Sequence, residues 1–163
     1  MDGGDGRVDE DAAGRERMGR DPMSESRQVD YSDWVDRCYR AVTAKDAAGF
    51  LDQFTTDAWI RLGNAEPVVG REALSAWLND FFGSFSAVEH DFGGVWSDGA
   101  AVIVDGTHTF TRLDGIRLSL PAVMICRMDG AHARRAQLYV DLTPLSMPEV
   151  PESLRRAAES CAA

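Results

Sequence analysis

The sequence predicts an α+β fold in which helices come first and an antiparallel sheet follows. Two observations carry this. Apolar residues recur at helical spacing from Ser32 to about Phe82, interrupted by one short hairpin. Three Asp-Gly pairs, Asp98-Gly99, Asp114-Gly115 and Asp129-Gly130, then sit between runs that alternate apolar and polar residues, the pattern of short hairpin turns. Helices grouped ahead of a meander argue against alternating βαβ units and a parallel doubly wound sheet. The glycines fall in turns, so no phosphate-binding loop is read from them.

A chain of 163 residues with 44% hydrophobic content is one domain plus tails. Its net charge of -10 argues against nucleic acid or an anionic membrane as a partner, because both require a basic face. Cys38, Cys126 and Cys161 are widely spaced and form no Cys-x-x-Cys or Cys/His cluster, so neither a metal site nor a disulfide framework is indicated. Cys38 and Cys126 fall at apolar periodic positions and are expected as small core residues. Without a membrane-length apolar run or a signal-peptide core after Met1, a soluble, reducing, cytoplasmic location is expected.

Residues 1–29 mix glycine, acids and arginines with few large apolar side chains, and are expected to be a disordered tail; Met23 is an alternative start. The domain is expected over residues 30–146. Its first helix opens at Ser32, a suitable N-cap, with Trp34, Val35, Cys38, Tyr39 and Val42 on one stripe. A second helix starts at Asp46 and carries Ala47, Phe50, Leu51 and Phe54, with Thr55-Thr56-Asp57 closing it. Ala58 to Leu62 and Pro67 to Val69 form a short hairpin around Gly63 to Glu66. Gly70-Arg71-Glu72 opens a third helix with Leu74, Trp77, Leu78, Phe81 and Phe82 inward, the spacing needed to cover a sheet. The meander then runs from Ala87 to Leu142 and ends at Thr143-Pro144. Residues 147–163 form a proline-containing tail, with an amphipathic helix expected from Glu152 to Ser160.

Several runs together resemble one known family. Lys45-Asp46, Phe50-Leu51, Phe54 to Ala58, Val69 to Leu74, Trp96 to Gly99, Leu120-Pro121 and Tyr139 to Leu145 are similar to the SnoaL-like branch of the nuclear-transport-factor-two-like superfamily, over about residues 32 to 146. The resemblance implies a cone: a curved antiparallel sheet wrapped around three N-terminal helices, with a pocket at the wide end and a homodimer formed through the sheet's outer face. Relatives include polyketide cyclases, ketosteroid isomerase, scytalone dehydratase and limonene epoxide hydrolase, so the fold does not transfer one activity. The water-activating Tyr and Asn of the epoxide hydrolases fall on Ile60 and Leu62, their Arg-x-Asp on Asp105 and Thr107, and their second Asp on Leu138. The isomerase tyrosine and base fall on Cys38 and Leu62. None of these residues is retained, which disfavours both mechanisms. The resemblance places the Asp105 and Thr107 positions in the pocket.

The residues offer their own candidates. A tight Asp98-Gly99 turn would pair Ser97 with Ala100, so that Phe92 faces Asp105 and His90 faces Thr107. His90 and Asp105 then become diagonal neighbours on one face, where an imidazole held by a carboxylate can act as a general acid or base. They could equally satisfy one another without chemistry. His108 falls on the opposite face and His132 beside a turn; no three ligands converge on a metal. The last strand has two registers: a tight turn puts Arg135, Gln137, Tyr139 and Asp141 on the pocket face, a bulged one Arg134, Ala136, Leu138 and Val140. The candidate catalytic residues are thus His90, Asp105 and Asp141. Candidate lining residues are Trp34, Tyr39, Trp59, Leu62, Trp77, Phe92, Thr107, Leu120, Met124, Leu138 and Tyr139.

Two functions follow. One is a cofactor-independent enzyme of cyclase, isomerase, dehydratase or hydrolase type, acting on a small, largely apolar molecule. The other is a non-catalytic binding or dimerising module whose pocket has been filled by Leu62 and Leu138. A cavity of a few hundred cubic ångströms, roughly the lower range for ligand sites, would favour the enzyme, and a filled cone the module.

Overall fold

The computed structural model describes residues 30–148; the tail expected over 1–29 and the helix expected at Glu152 to Ser160 lie outside the described residues. The elements run α1 (Ser32–Thr43), α2 (Ala47–Leu51), β1 (Phe54–Leu62), β2 (Val68–Val69), α3 (Arg71–Gly83), β3 (Phe85–Ser97), β4 (Ala101–Arg112), β5 (Arg117–Asp129), β6 (His132–Val140) and α4 (Thr143–Ser146). The strands form one curved, unclosed sheet in the order β2-β1-β6-β5-β4-β3, with β1 parallel to β6 and every other pair antiparallel. The expected α+β order, its helices and its meander are all present.

Helix α1 buries Trp34, Val35, Cys38 and Tyr39, the stripe read from spacing. Its entry differs from expectation. Tyr31 is the N-cap residue, and the Asp30 carboxylate, not the Ser32 hydroxyl, accepts the Ser32 N–H at 2.9 Å. Asp46 does cap α2, accepting the Gly49 N–H at 3.0 Å. Helix α2 stops at Leu51, so Phe54 belongs to β1, as do Thr55, Thr56 and Asp57. Phe54 still packs inward, its ring 4.8 Å from Phe50 and 6.0 Å from Trp34. An inward strand residue and a helical stripe residue give the same apolar signal over so short a run.

Leu74, Leu78 and Phe82 bury the inner face of α3, and Trp77 and Phe81 lie half-buried beside them. One apolar cluster fills the space between the helices and β1, β4, β5 and β6, with Cys38 and Cys126 at its centre as buried free thiols. A second gathers Phe85, Val88, Phe110 and Leu120 nearer α4.

The hairpin registers are the main correction. At the first turn Asp98 stays in the ladder, donating its N–H to Ala101 O at 3.2 Å, and its carboxylate accepts the N–H groups of Ala100 and Ala101. Gly99, at φ 85°, is therefore the first central residue of the turn, a position that demands positive φ. Ser97 pairs with Val102, not Ala100. A bulge between Phe92 and Gly94 then inserts Gly93 as an unpaired residue, and beyond it His90 pairs with His108. A Cβ on Gly93 would lie 2.8 Å from Asp105 Oδ2, so the bulge is closed tightly over that carboxylate. In β6 a further irregularity beside Arg134 gives the second register from Ala136 onward, with Ala136 buried and Leu138 and Val140 inward, but Arg134, expected on the same face, is exposed and pairs with Asp57. Among the described residues no helix is long and apolar enough to cross a membrane.

Candidate functional site

Between α1, α3 and the concave face of the sheet lies a cavity of about 80 Å³. Six of the candidate residues line it: Tyr39, Leu62, Trp77, His90, Met124 and Leu138. Ile60, Val88, Phe110 and Ala136 add to a wall that is almost wholly apolar. The other candidates lie elsewhere. Trp34 is a core residue whose indole N–H donates to Gln53 O at 3.1 Å. Trp59 is stacked under the Arg135 guanidinium at 4.6 Å. Leu120 belongs to the second core cluster. Phe92 is 41% exposed, its ring 4.7 Å from Tyr39, and Tyr139 is 57% exposed.

The bulge decides the chemistry of the wall. One inserted residue exchanges the faces of β3 relative to β4, so the expected His90–Asp105 pair does not form. Asp105 is exposed, and Thr107 shares its face, paired across the sheet with Asp91 and Pro121. Neither enters the pocket that the resemblance implied for them. His108, expected on the far face, is instead buried at the cavity wall against His90. Asp141 lies beyond the end of β6, exposed, and its carboxylate accepts the Thr143 N–H at 2.9 Å, closing the turn into α4. Hydrogen bonding from the Thr143 side chain, and then from its N–H, lowers the Asp141 pKa from the usual value.

Three rings meet at the wall. The His90 and His108 centroids are 4.6 Å apart at 78°, and the Tyr39 ring lies 4.6 Å from His90 and 5.6 Å from His108, both edge-on. His90 Nδ1 is 3.2 Å from Thr43 Oγ1, and the tautomer sets which atom donates. Its Nε2 is sealed from solvent and has no hydrogen-bond partner among the described residues. The His108 ring makes no hydrogen bond among them either. Burial, with a smaller contribution from His108, pushes His90 down to about 3, and burial pushes His108 down to about 4. Both imidazoles are therefore neutral at pH 7. Tyr39 is pushed well above the usual phenol range by burial, so it too is neutral.

Arg61 is the one permanently charged residue at the wall. Alternation along β1 turns its side chain to the face of Trp59, away from Ile60 and Leu62. Its Nε is buried without a partner among the described residues. No group of three or more metal-ligating side chains occurs among these residues. Sequence reasoning missed His108 and Thr43. The signal for His108 was present as Gly93-Gly94, since glycines inside a strand often mark a bulge.

The fold agrees with comparisons to known proteins. No curated protein matches the sequence. Among solved structures, a protein of ketosteroid isomerase-like fold from Catenulispora acidiphila, solved with trimethylamine, superposes with a TM-score of 0.64 at 17% identity, covering 69% of this chain and 88% of that one. An LEH-like epoxide hydrolase from M. tuberculosis gives 0.61 at 15%, covering 80% and 92%. A protein from Jannaschia named as a SnoaL-like polyketide cyclase gives 0.62 at 16%, covering 78% and 93%. At these identities the likeness shows the fold. The profile of the SnoaL-like domain matches residues 35–135, and the chain belongs to that family.

Proposed function

We propose that the chain is a cofactor-independent acid/base enzyme acting on a small, largely apolar, natural-product-like molecule held in the cavity. One observation carries this reading: two neutral imidazoles, His90 and His108, stand together in an otherwise apolar wall. A few convergent polar groups in an apolar cavity are how small-molecule sites are built. Thr43 meets one nitrogen of His90, and the other is left without a partner among the described residues. A neutral imidazole accepts a proton or donates a hydrogen bond. One whose burial disfavours the cation is a weak base, so it serves best as a neutral hydrogen-bonding group that polarises a substrate oxygen. Asp105 and Asp141, outside the cavity, have no part in this reading. That proteins of the same fold are named polyketide cyclase and epoxide hydrolase is in keeping with it.

The test is a screen of purified chain against small cyclic ketones, enols and epoxides, with products followed by mass spectrometry. Turnover should fall at least about a hundredfold in both His90→Gln and His108→Gln, the range for a positioned acid or base. Unchanged turnover in the double variant would remove the assignment.

A second reading has its own support. The cavity, at about 80 Å³, is well below the roughly 300 Å³ at which ligand sites usually begin, which favours a non-catalytic small-ligand module. Ligands that raise the Tm in the same screen without being converted would select it. We also propose a homodimer through the outer sheet face, where Trp96 is 55% and Ile103 37% exposed, checked by light scattering. A cytoplasmic location fits the two free thiols and is checked by cell fractionation.

A further inference from the structure

The outer face of the sheet is divided by charge. The register lays Ile125, Ile103 and Trp96 side by side across β5, β4 and β3, an apolar row in which Trp96 and Ile103 are exposed. To one side of this row Arg127 and Arg135 stand directly opposite one another, and Arg135 lies over the Trp59 ring at 4.6 Å. To the other side stand Asp105 and Asp91. All four charged residues are exposed, and among the described residues none of them forms an ion pair. Asp98, at the neighbouring turn, feels Arg127 only through space.

The two sets of charges cannot neutralise each other within one chain. Arg127 pairs with Ala101, and Asp105 lies four residues further along β4, about 13 Å by strand rise, with the apolar row between them. Like charges directly opposite one another weaken a sheet, so Arg127 beside Arg135 gains from an anion brought by another molecule. A partner of a single sign would be attracted at one end of this face and repelled at the other. A second copy is different, because a two-fold interface requires one patch to be complementary to itself. Turned about an axis through the Ile103–Ile125 pair, it sets arginines against aspartates at both ends and closes the apolar row over its own equivalent. Two chains of net charge -10 repel one another overall, so a face that joins them needs such local pairing.

From this division of the face, and resting on the homodimer proposed above, we propose that the two copies are held in register by reciprocal ion pairs. Arg127 and Arg135 of each copy meet Asp91 and Asp105 of the other, on either side of a shared apolar centre at Ile103 and Ile125. Asp105, which stands outside the cavity, is then an interface residue.

Sedimentation equilibrium of the full chain tests this, with two charge-reversed chains beside the wild type: Arg127→Glu/Arg135→Glu and Asp91→Arg/Asp105→Arg. Each reversed chain alone should dimerise at least about a hundredfold more weakly than wild type, because like charges are then juxtaposed at both ends of the interface. Mixed in equal amounts, the two should form a heterodimer within about tenfold of the wild-type affinity, since every facing pair is again of opposite sign. The wild-type Kd should also rise about tenfold from low salt to about 0.5 M salt, as screening weakens the pairs. That salt series decides the matter even if a reversed chain does not fold. A wild-type chain that stays monomeric would remove the dimer reading and this proposal together. A dimer whose Kd is unmoved by salt, or by either reversal, would leave the dimer standing and overturn the ion pairing. Reversed chains that separate but do not combine on mixing would overturn the reciprocal, two-fold arrangement.

Discussion

Glu89 and His90 are consecutive residues of β3, yet they inhabit opposite electrostatic worlds. Glu89 faces water on the outer side, where its carboxylate meets Arg117 at 2.7 Å with both side chains more than half exposed. His90 faces the cavity, its Nε2 sealed, pressed between Tyr39 and His108 and held neutral by burial. Every ion pair formed among the described residues joins at least one well-exposed side chain, as in Arg71–Asp52 and Arg134–Asp57. The inner face keeps its polarity in uncharged rings. The sheet thus separates charge from hydrogen-bonding capacity, and the separation depends on which way each strand residue turns.

That direction is set by Gly93, so its deletion is the most damaging change. Removing the bulged residue while the Asp98 turn holds would reverse β3 from Phe85 to Phe92, sending Val88 and His90 outward and Glu89 and Asp91 into the apolar interior. We expect no cooperative unfolding transition by circular dichroism. A Tm within a few degrees of wild type would show that contacts other than the bulge fix the register.

The neutral pair gives the next largest effect. Folded-state values of about 3 for His90 and about 4 for His108 lie below the unfolded value near 6.5, so between these limits the unfolded chain binds more protons. Their contribution is fully present above pH 6.5 and is lost as the pH falls. Chemical denaturation at pH 6.5 and 4.5 should differ by about 2 kcal/mol for each histidine. In the His90→Leu/His108→Leu variant most of that slope should be gone. A wild-type slope near zero over this range would mean that the imidazoles are hydrated or charged in the native state.

How far all this is written in the sequence depends on the length over which a signal repeats. The stripe of Trp34, Cys38 and Val42 repeats over three turns, and α1 follows it closely. The three Asp-Gly pairs mark all three hairpins of the meander, because a positive-φ glycine is needed at each. Phe54 was misplaced because four residues of α2 pattern cannot be told from the start of a strand. The site was the least legible part. His90 was identified, but its partner required a one-residue register decision made by a Gly-Gly pair and by an aspartate staying in the ladder, and both act against the simplest two-residue turn. Of the lining candidates, Tyr39, Leu62, Trp77, Met124 and Leu138 reached the cavity; Trp34, Trp59, Leu120 and Tyr139, on the same elements, did not, and neither did Phe92 and Thr107 beside the bulge.

The smallest expected effect completes the comparison on the same strand. Glu89→Gln removes one charge from a pair whose side chains are 58% and 53% exposed, so water already screens it. The loss should be about 0.5 kcal/mol or less, and it should disappear at high salt, where exposed pairs are screened within a few ångströms. The cavity lies on the other face, so turnover should be unchanged. Urea unfolding at low and high ionic strength, beside the turnover screen, measures both. A loss of turnover on this substitution would mean that the two faces of β3 are coupled and that the division between wet charge and dry polarity is not complete. A salt-independent loss above about 1 kcal/mol would place the carboxylate in a more enclosed setting than its exposure indicates.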